Sequence, residues 1–373
     1  MSLITMDSER GELRRVMRDF LETRSPEREV RRVMETSCGW DETLWRQVCT
    51  ELELTGLQVP TEFGGSGFGL AEVGVVLGEF GRYLACVPYF STVILAQTTL
   101  LQADDEEAKQ RWLPALADGT IRGTLAVTGP SGRWTDPTEG VTADQGRGGW
   151  RIRGTKRFVI DGHTADLILV AARGTDGASL FAVESGATGL HRTLMRGMDA
   201  TRKLADLEFD DVSATLIGTA GSAGPVIDAV LDFARVGLAT EQVGGADRAF
   251  EMAVHYAKTR IQFDRAIGSF QAIKHKCAEM CLQVEHARTL AYHALWAATE
   301  ATQELPVAAA MAGALCSDAY FRIAAENIHI HGGIGFTWEH PAHLYFKRAK
   351  LSQQLFGSAS FHRELLARRV GIQ

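Results

Sequence analysis

Apolar positions recur at intervals of three and four residues through the first third of the chain. RGELRRVMRDFLETR (residues 10–24), ETLWRQVCTELELTG (42–56), LAEVGVVLGEFGRYLA (70–85) and EEAKQRWLPALADG (106–119) each carry such a stripe, which predicts helices. Between the second and third lies VPTEFGGSGFG, where Pro60, Gly64, Gly65, Gly67 and Gly69 demand a loop. From about residue 121 the period changes. GTLAVT, GWRIRG, KRFVID, DLILVAA, ASLFAVE and ADLEF are short β-rich runs between Gly, Asp and Ser, which predict an antiparallel sheet or small barrel. From about 221 the helical period returns in three long stretches and a terminal one, HRELLARRV, enough for a four-helix bundle. Ser222 and Pro225 read as the cap and first-turn proline of the first stretch.

The expected fold is therefore α+β in three blocks. Residues 1–120 form an N-terminal helical domain, 121–218 a central antiparallel β domain, and 219–373 a C-terminal four-helix bundle. A chain of 373 residues exceeds what one core usually serves, which agrees with several domains. With 39 Lys+Arg against 46 Asp+Glu, the net charge of −7 argues against a nucleic-acid or anionic-membrane surface. No segment reads as a membrane span, and MSLITMDSERGELRR carries no apolar leader. The six cysteines fall mostly inside apolar helical pattern and complete no zinc spacing; buried free thiols, a reducing cytoplasm and no metal are expected.

Two C-terminal segments carry the chemistry. RIQFDRAIGSFQAIKH (260–275) breaks two bundle helices, and HIHGGIGFTWEH (329–340) precedes HLYFKRAK. Arg260 at a helix end offers bidentate donors to a phosphate, and Gly332 and Gly333 let backbone approach a phosphate or ribose. Taken singly, Arg260 reads better as a surface charge and the glycines as a helix stop.

Together with the PTEFGGSGFG loop and the helix–sheet–bundle order, these segments closely resemble the acyl-CoA dehydrogenase family of flavoproteins, over nearly the whole chain. The resemblance implies FAD. It implies that Arg260, Gln262 and Phe263 of one subunit and the His329–Gly333 stretch of its neighbour grip one dinucleotide, with Phe270, Gln271 and Ser358 as further contacts. In the β block it makes Thr128 a hydroxyl donor near the flavin edge and Phe158 the aromatic covering the ring. Ile160 stands where the family usually has Thr or Ser. As a plainer alternative, Phe158 and Ile160 are inward strand positions.

The family desaturates an acyl-CoA thioester between Cα and Cβ. A carboxylate takes the α-proton, a hydride goes to the flavin, and donors stabilise the enolate. Its most common base is the Glu of a Tyr-Glu-Gly-Thr segment, which here reads Leu355-Phe356-Gly357-Ser358. Phe356 has no proton to trade, although its backbone N–H and Gly357 remain as thioester contacts. A minority place the base before an Arg on the first bundle helix; here that pair is Ala234-Arg235. Both positions lack a carboxylate.

Glu241, two turns beyond Ala234 on the same face and about 10 Å along the axis, is the candidate substitute base. It reads equally as the partner of a bundle arginine. Asp232 and Arg235 are expected to hold the CoA-bound substrate, or else to be ordinary helix charges. Glu339 reads as structural, with His340 and His343 capping or pairing. The resemblance implies electrons passing to an electron-transfer flavoprotein, and a homodimer or homotetramer. The two vacancies equally suit the non-base-supplying subunit of a hetero-oligomer, as in members acting on steroid side-chain thioesters. A flavin oxidase or monooxygenase of the same fold, and a non-enzymatic scaffold of that fold, are the remaining alternatives.

Overall fold

The computed structural model describes residues 8–372, so the opening residues read above for a leader lie outside them. In chain order the helices are α1 (Ser8–Arg24), α2 (Glu27–Met34), α3 (Glu42–Arg46), α4 (Leu70–Tyr83), α5 (Thr98–Gln102) and α6 (Glu106–Ala117). Seven strands follow: β1 (Gly123–Ala126), β2 (Val141–Gly146), β3 (Gly149–Ile160), β4 (Leu167–Gly174), β5 (Gly177–Glu184), β6 (Leu190–Leu194) and β7 (Leu204–Ile217). Then come α7 (Gly224–Thr259), the hairpin β8 (Ile261–Gln262) and β9 (Arg265–Ala266), α8 (Gln271–Glu300), α9 (Leu305–His331), α10 (Ala342–Ser352) and α11 (Ala359–Arg369).

These elements gather into two compact units. One takes the chain up to Arg31, Leu70–Ala85 and everything from Arg235; the other takes Arg32–Gly69 and Cys86–Ala234. The first block of the sequence is thus shared out between them.

In the bundle unit, α4 reaches α7 backbone to backbone. A Cβ at Gly244 would stand 1.8 Å from Gly78 O, and one at Gly81 would stand 2.0 Å from Glu241 O. Side chains at these positions would force the helices apart. α1 lies on α4 through Arg10–Glu72 at 2.8 Å and Arg18–Glu79 at 3.0 Å. Helix α9 is long and apolar enough to cross a bilayer by composition, but 61% of that window is buried, as befits a core helix. HLYFKRAK forms α10, an element beyond the four helices expected.

In the β unit the strand order is β1-β4-β2-β3-β7-β5, and β5 returns to β4, closing a ring. β6 pairs with β7 at the margin. Its core is Ala126, Ile152, Val159, Ile168, Val170, Phe181, Leu207, Phe209 and Val212. Most pairs are antiparallel, as expected, but β1 runs parallel to β4 along Gly123–Ala126.

Local departures from the sequence reading have physical causes. The segment Phe90–Gln97 is a π-helical run buried on every side, its polar Ser91, Thr92 and Gln97 included, so no apolar stripe marks one face. ETLWRQVCTELELTG begins as α3, capped by Asp41 Oδ1 accepting from Leu44 N at 2.8 Å, then widens into a π-helical turn at Gln47–Glu51. Ser222 lies two residues ahead of α7, its hydroxyl donating to Thr219 O at 2.7 Å; Pro225 does sit in the first turn. Cys49, Cys86 and Cys316 are buried, but Cys281 is exposed and Cys38 and Cys277 partly so. Burial pushes the Cys49 and Cys316 thiols up to about 12.

Candidate active site

In the β unit, the candidate site is built on β3. Its pairing with β7 slips between Lys156 and Val159, and Phe158 inside that irregularity has φ +56°. A bulge of this kind re-aims side chains, so Phe158 leaves the strand's alternation while Val159 and Ile160 stay in the core. The Arg157 guanidinium lies 5.2 Å from the Phe158 ring centroid and pairs with Asp206 at 3.1 Å. Thr128 is buried, its carbonyl accepting from Arg157 N at 2.8 Å. Thr124 Oγ1 donates to Ile160 O at 2.6 Å. Thr128 and Phe158 thus stand on adjoining backbone.

In the bundle unit, Arg260 ends α7 and the β8–β9 hairpin follows. Phe263 and Asp264 at its tip both have positive φ, +53° and +58°, with no glycine to relieve it. Phe263 is 85% exposed, and its ring meets Phe270 edge-on at 6.0 Å. Arg265 covers Phe270 at 4.0 Å. Arg260, Gln262 and Gln271 are exposed.

The twin-glycine segment is at the same end of the bundle. Tyr256, one turn before Arg260, stacks on His331 at 4.3 Å, and His340 packs against His331 at 4.1 Å. Within one chain the two segments are thus linked through the Tyr256–His331 contact. Gly332 has φ +62°, and neither it nor Gly333 has any atom within 4 Å of where a Cβ would stand. Exposed donors (Arg260, Gln262, His329) and bare backbone facing open space fit a pyrophosphate-bearing dinucleotide.

At the start of α10, His340 Nδ1 accepts from Ala342 N at 3.2 Å, which requires a neutral ring. Burial first, then His331, His343 and Arg31, hold His340 down at about 4. Burial with Lys347 and Arg31 does the same to His343, also about 4.

The usual base positions carry no carboxylate. Ala234 is wholly buried on α7. Phe356 is buried with φ +58°, Gly357 has φ +117°, and a Cβ there would stand 2.2 Å from Phe361 Cδ1. Ser358 Oγ caps α11 by accepting from Phe361 N at 3.3 Å. Arg235 is buried, its guanidinium 6.0 Å from the Phe361 ring. Asp232, one turn earlier on α7, is buried too.

Glu241 is paired with a bundle arginine. Its Oε1 accepts from Arg348 Nη1 at 2.9 Å. The substitute base expected from helix spacing is thus committed to a guanidinium that never gives up its proton.

Three residues enter from tertiary structure alone. Arg348 lay inside HLYFKRAK with no role attached to it. His362 is buried beside Gly357, with which it shares a backbone hydrogen bond; burial and then Arg235 press it down to about 3. Lys156, read only as a strand residue, is fully buried. An arginine or histidine in a helical pattern carries no signal of which neighbour it will meet.

Comparison with known proteins follows the same segments. Residues 7–120, 124–212 and 224–371 match the sequence models of the N-terminal, middle and C-terminal domains of acyl-CoA dehydrogenase. The acyl-CoA dehydrogenase IpdE2 of Mycobacterium tuberculosis is 35% identical, covering 98% of this chain and 97% of its own. A solved steroid acyl-CoA dehydrogenase, Tcur3481–Tcur3483, is 30% identical with TM-score 0.89, covering 98% of each chain. The ChsE4–ChsE5 complex from Mycobacterium tuberculosis is 28% identical with TM-score 0.90, covering all of both chains.

Proposed function

This chain belongs to the acyl-CoA dehydrogenase family, and from that membership we propose that it is the flavin-binding, base-lacking subunit of a two-component acyl-CoA dehydrogenase. The family's enzymes are FAD-dependent oxidoreductases acting on acyl-CoA. The observation that carries the finer reading is the state of three positions. Phe356 and Ala234 occupy the two places for a base, and Glu241 is bound to Arg348. A self-sufficient homo-oligomer using Glu241 would have to break a buried ion pair to free its base.

Bound FAD supplies the hydride acceptor. Arg260, Gln262, Phe263, Phe270, Gln271, His329, Gly332, Gly333 and Ser358 hold the dinucleotide, and Thr128 and Phe158 receive the ring. Arg235 and Asp232 orient the thioester's CoA portion, while the Phe356 N–H and Gly357 backbone face its oxygen. A second subunit of the same family contributes the carboxylate that removes the α-proton. Phe263, Ile334, Phe336 and Trp338, all exposed at the flavin end, support an assembly that covers them. The relatives that are two-chain complexes, one of them named for a steroid, support a steroid-derived or similarly bulky acyl-CoA and a partner of this kind. An electron-transfer flavoprotein as acceptor and a cytoplasmic setting complete the proposal.

The test compares the chain alone with the chain co-expressed with a base-bearing family member, each loaded with FAD. Anaerobic bleaching of the flavin by acyl-CoA should occur only in the complex. Bleaching by the lone chain at full rate, abolished by Glu241→Gln, would sink the two-subunit reading.

A further inference from the structure

Lys156 lies on β3 with none of its surface exposed, where an amine is costly unless its hydrogens are bonded. Its Nζ donates to Pro137 O at 2.6 Å and to Glu139 O at 2.9 Å, both in the loop of residues 128–140. Its chain neighbours hold the two ends of the same loop. Arg157 N donates to Thr128 O and Thr155 N donates to Gly140 O, each at 2.8 Å. Three successive residues of one strand therefore pin the loop at its start, near its end and at its close.

The loop is packed to suit. A Cβ at Gly129 would stand 2.6 Å from Glu139 Cβ, and one at Gly140, with φ +82°, would stand 2.3 Å from Pro130 Cδ. Its two limbs thus touch through bare backbone. At the turn, a Cβ on Gly132 would lie 3.1 Å from the Phe158 ring, so the loop also abuts the aromatic. Asp136 ties the outer limb by accepting from Thr138 N at 2.9 Å and pairing with Arg173 at 2.9 Å. An apolar side chain would fill the space of Lys156 without burying an amine, so the two carbonyl bonds are what the lysine adds. Burial lowers its pKa to about 7, and even the neutral amine keeps two N–H bonds for the two carbonyls.

We infer that Lys156 is a positioning residue of the flavin site, tying loop 128–140 to β3 so that Thr128 and Phe158 hold the placement the ring requires. The inference rests on reading Thr128 and Phe158 as flavin contacts, and it reaches the flavin only through them.

The test is Lys156→Met in the full chain, which keeps length and removes both donors. In apoprotein, trypsin cleavage after exposed Arg133 reads the loop without any flavin; FAD titration and the visible absorption band read the site. The variant should be cut at Arg133 at least tenfold faster, bind FAD at least tenfold more weakly and shift the flavin band, with unchanged far-ultraviolet dichroism. Cleavage within twofold of wild type overturns the clamp. Faster cleavage with unchanged FAD affinity and spectrum overturns the positioning role. Failure of the wild-type protein to take up FAD would count against the flavin reading instead, leaving the cleavage result to judge the clamp. If the variant does not fold, hydrogen exchange on the wild-type apoprotein decides. The Thr155 and Arg157 amides should exchange as slowly as that of core residue Ile152, and exchange at free-peptide rates overturns the proposal.

Discussion

Glu241 Oε1 on α7 and Arg348 Nη1 on α10 lie 2.9 Å apart, with only 4% and 3% of their side chains exposed. Backbone of the same Glu241 lies where a side chain on Gly81 of α4 would have to go. The pair thus sits at a junction of three helices, and removing one member leaves the other charge buried.

Glu241→Gln should therefore destabilise the chain by about 3–5 kcal/mol, read as a fall in the denaturation midpoint. Turnover of the assembled enzyme, measured where the variant remains folded, should change less than about tenfold, whereas loss of a general base costs roughly 10²–10⁴. A double variant, Glu241→Leu with Arg348→Met, should recover most of the stability, and a failure to do so would contradict the ion-pair account.

Phe356→Glu restores a carboxylate at the family's usual base position. The residue already holds φ +58° inside the fold, so the substitution changes the side chain and not the backbone. The expected outcome is acyl-CoA-dependent exchange of the α-proton by the lone chain in deuterated buffer, above a wild-type background near zero. No exchange from a folded, FAD-loaded variant would mean that more than the base is missing.

Gly332→Ala meets no steric obstacle, since nothing lies within 4 Å, but an L-residue at φ +62° is strained. With ψ −137° as well, a cost of roughly 1–3 kcal/mol in stability is expected. FAD binding should weaken as well if the bare backbone faces the dinucleotide; unchanged affinity would remove Gly332 from the site.

Acid should loosen the bundle unit through its histidines. Free histidine takes its proton near 6.5, but in the fold His340 and His343 do so only near 4 and His362 near 3, chiefly through burial. Between those values the unfolded chain binds more protons, so stability is full above pH 6.5 and falls as pH drops toward 4 and 3. For buried His362 the slope is at most about 1.4 kcal/mol per pH unit. Denaturant titrations of wild type and His362→Gln should diverge below pH 6.5 and run parallel above it.

Lys156 shifts in the same direction but titrates in a different window. Its folded pKa of about 7 lies below the free value of 10.5, because burial disfavours the ammonium. From pH 7 upward the unfolded chain holds the extra proton, so the wild type should gain stability over Lys156→Met by up to about 1 kcal/mol per pH unit. A flat difference between pH 7 and 9 would show that the lysine keeps its proton in the fold as it does in the unfolded chain.

The helical stripes, the β-rich middle and the two C-terminal segments were readable along the chain because each depends on neighbours within a few residues. The empty base positions were readable for the same reason, as counts within recognisable segments. Phe90–Gln97 escaped, since burial on every side erases the period on which such a reading depends. The marginal strand β6 and the short, largely exposed β2 escaped because they bury one face at most.

Partner choice lay beyond the sequence altogether. Helix spacing put Glu241 on the right face for a base, yet only packing brought Arg348, 107 residues away, onto its carboxylate. Likewise, β3 was visible as a strand, but the carbonyls that receive the Lys156 amine belong to a loop whose path depends on the sheet beneath it. Local order follows from periodicity. A buried charge acquires its role only when the fold decides which distant group will offset its lost water.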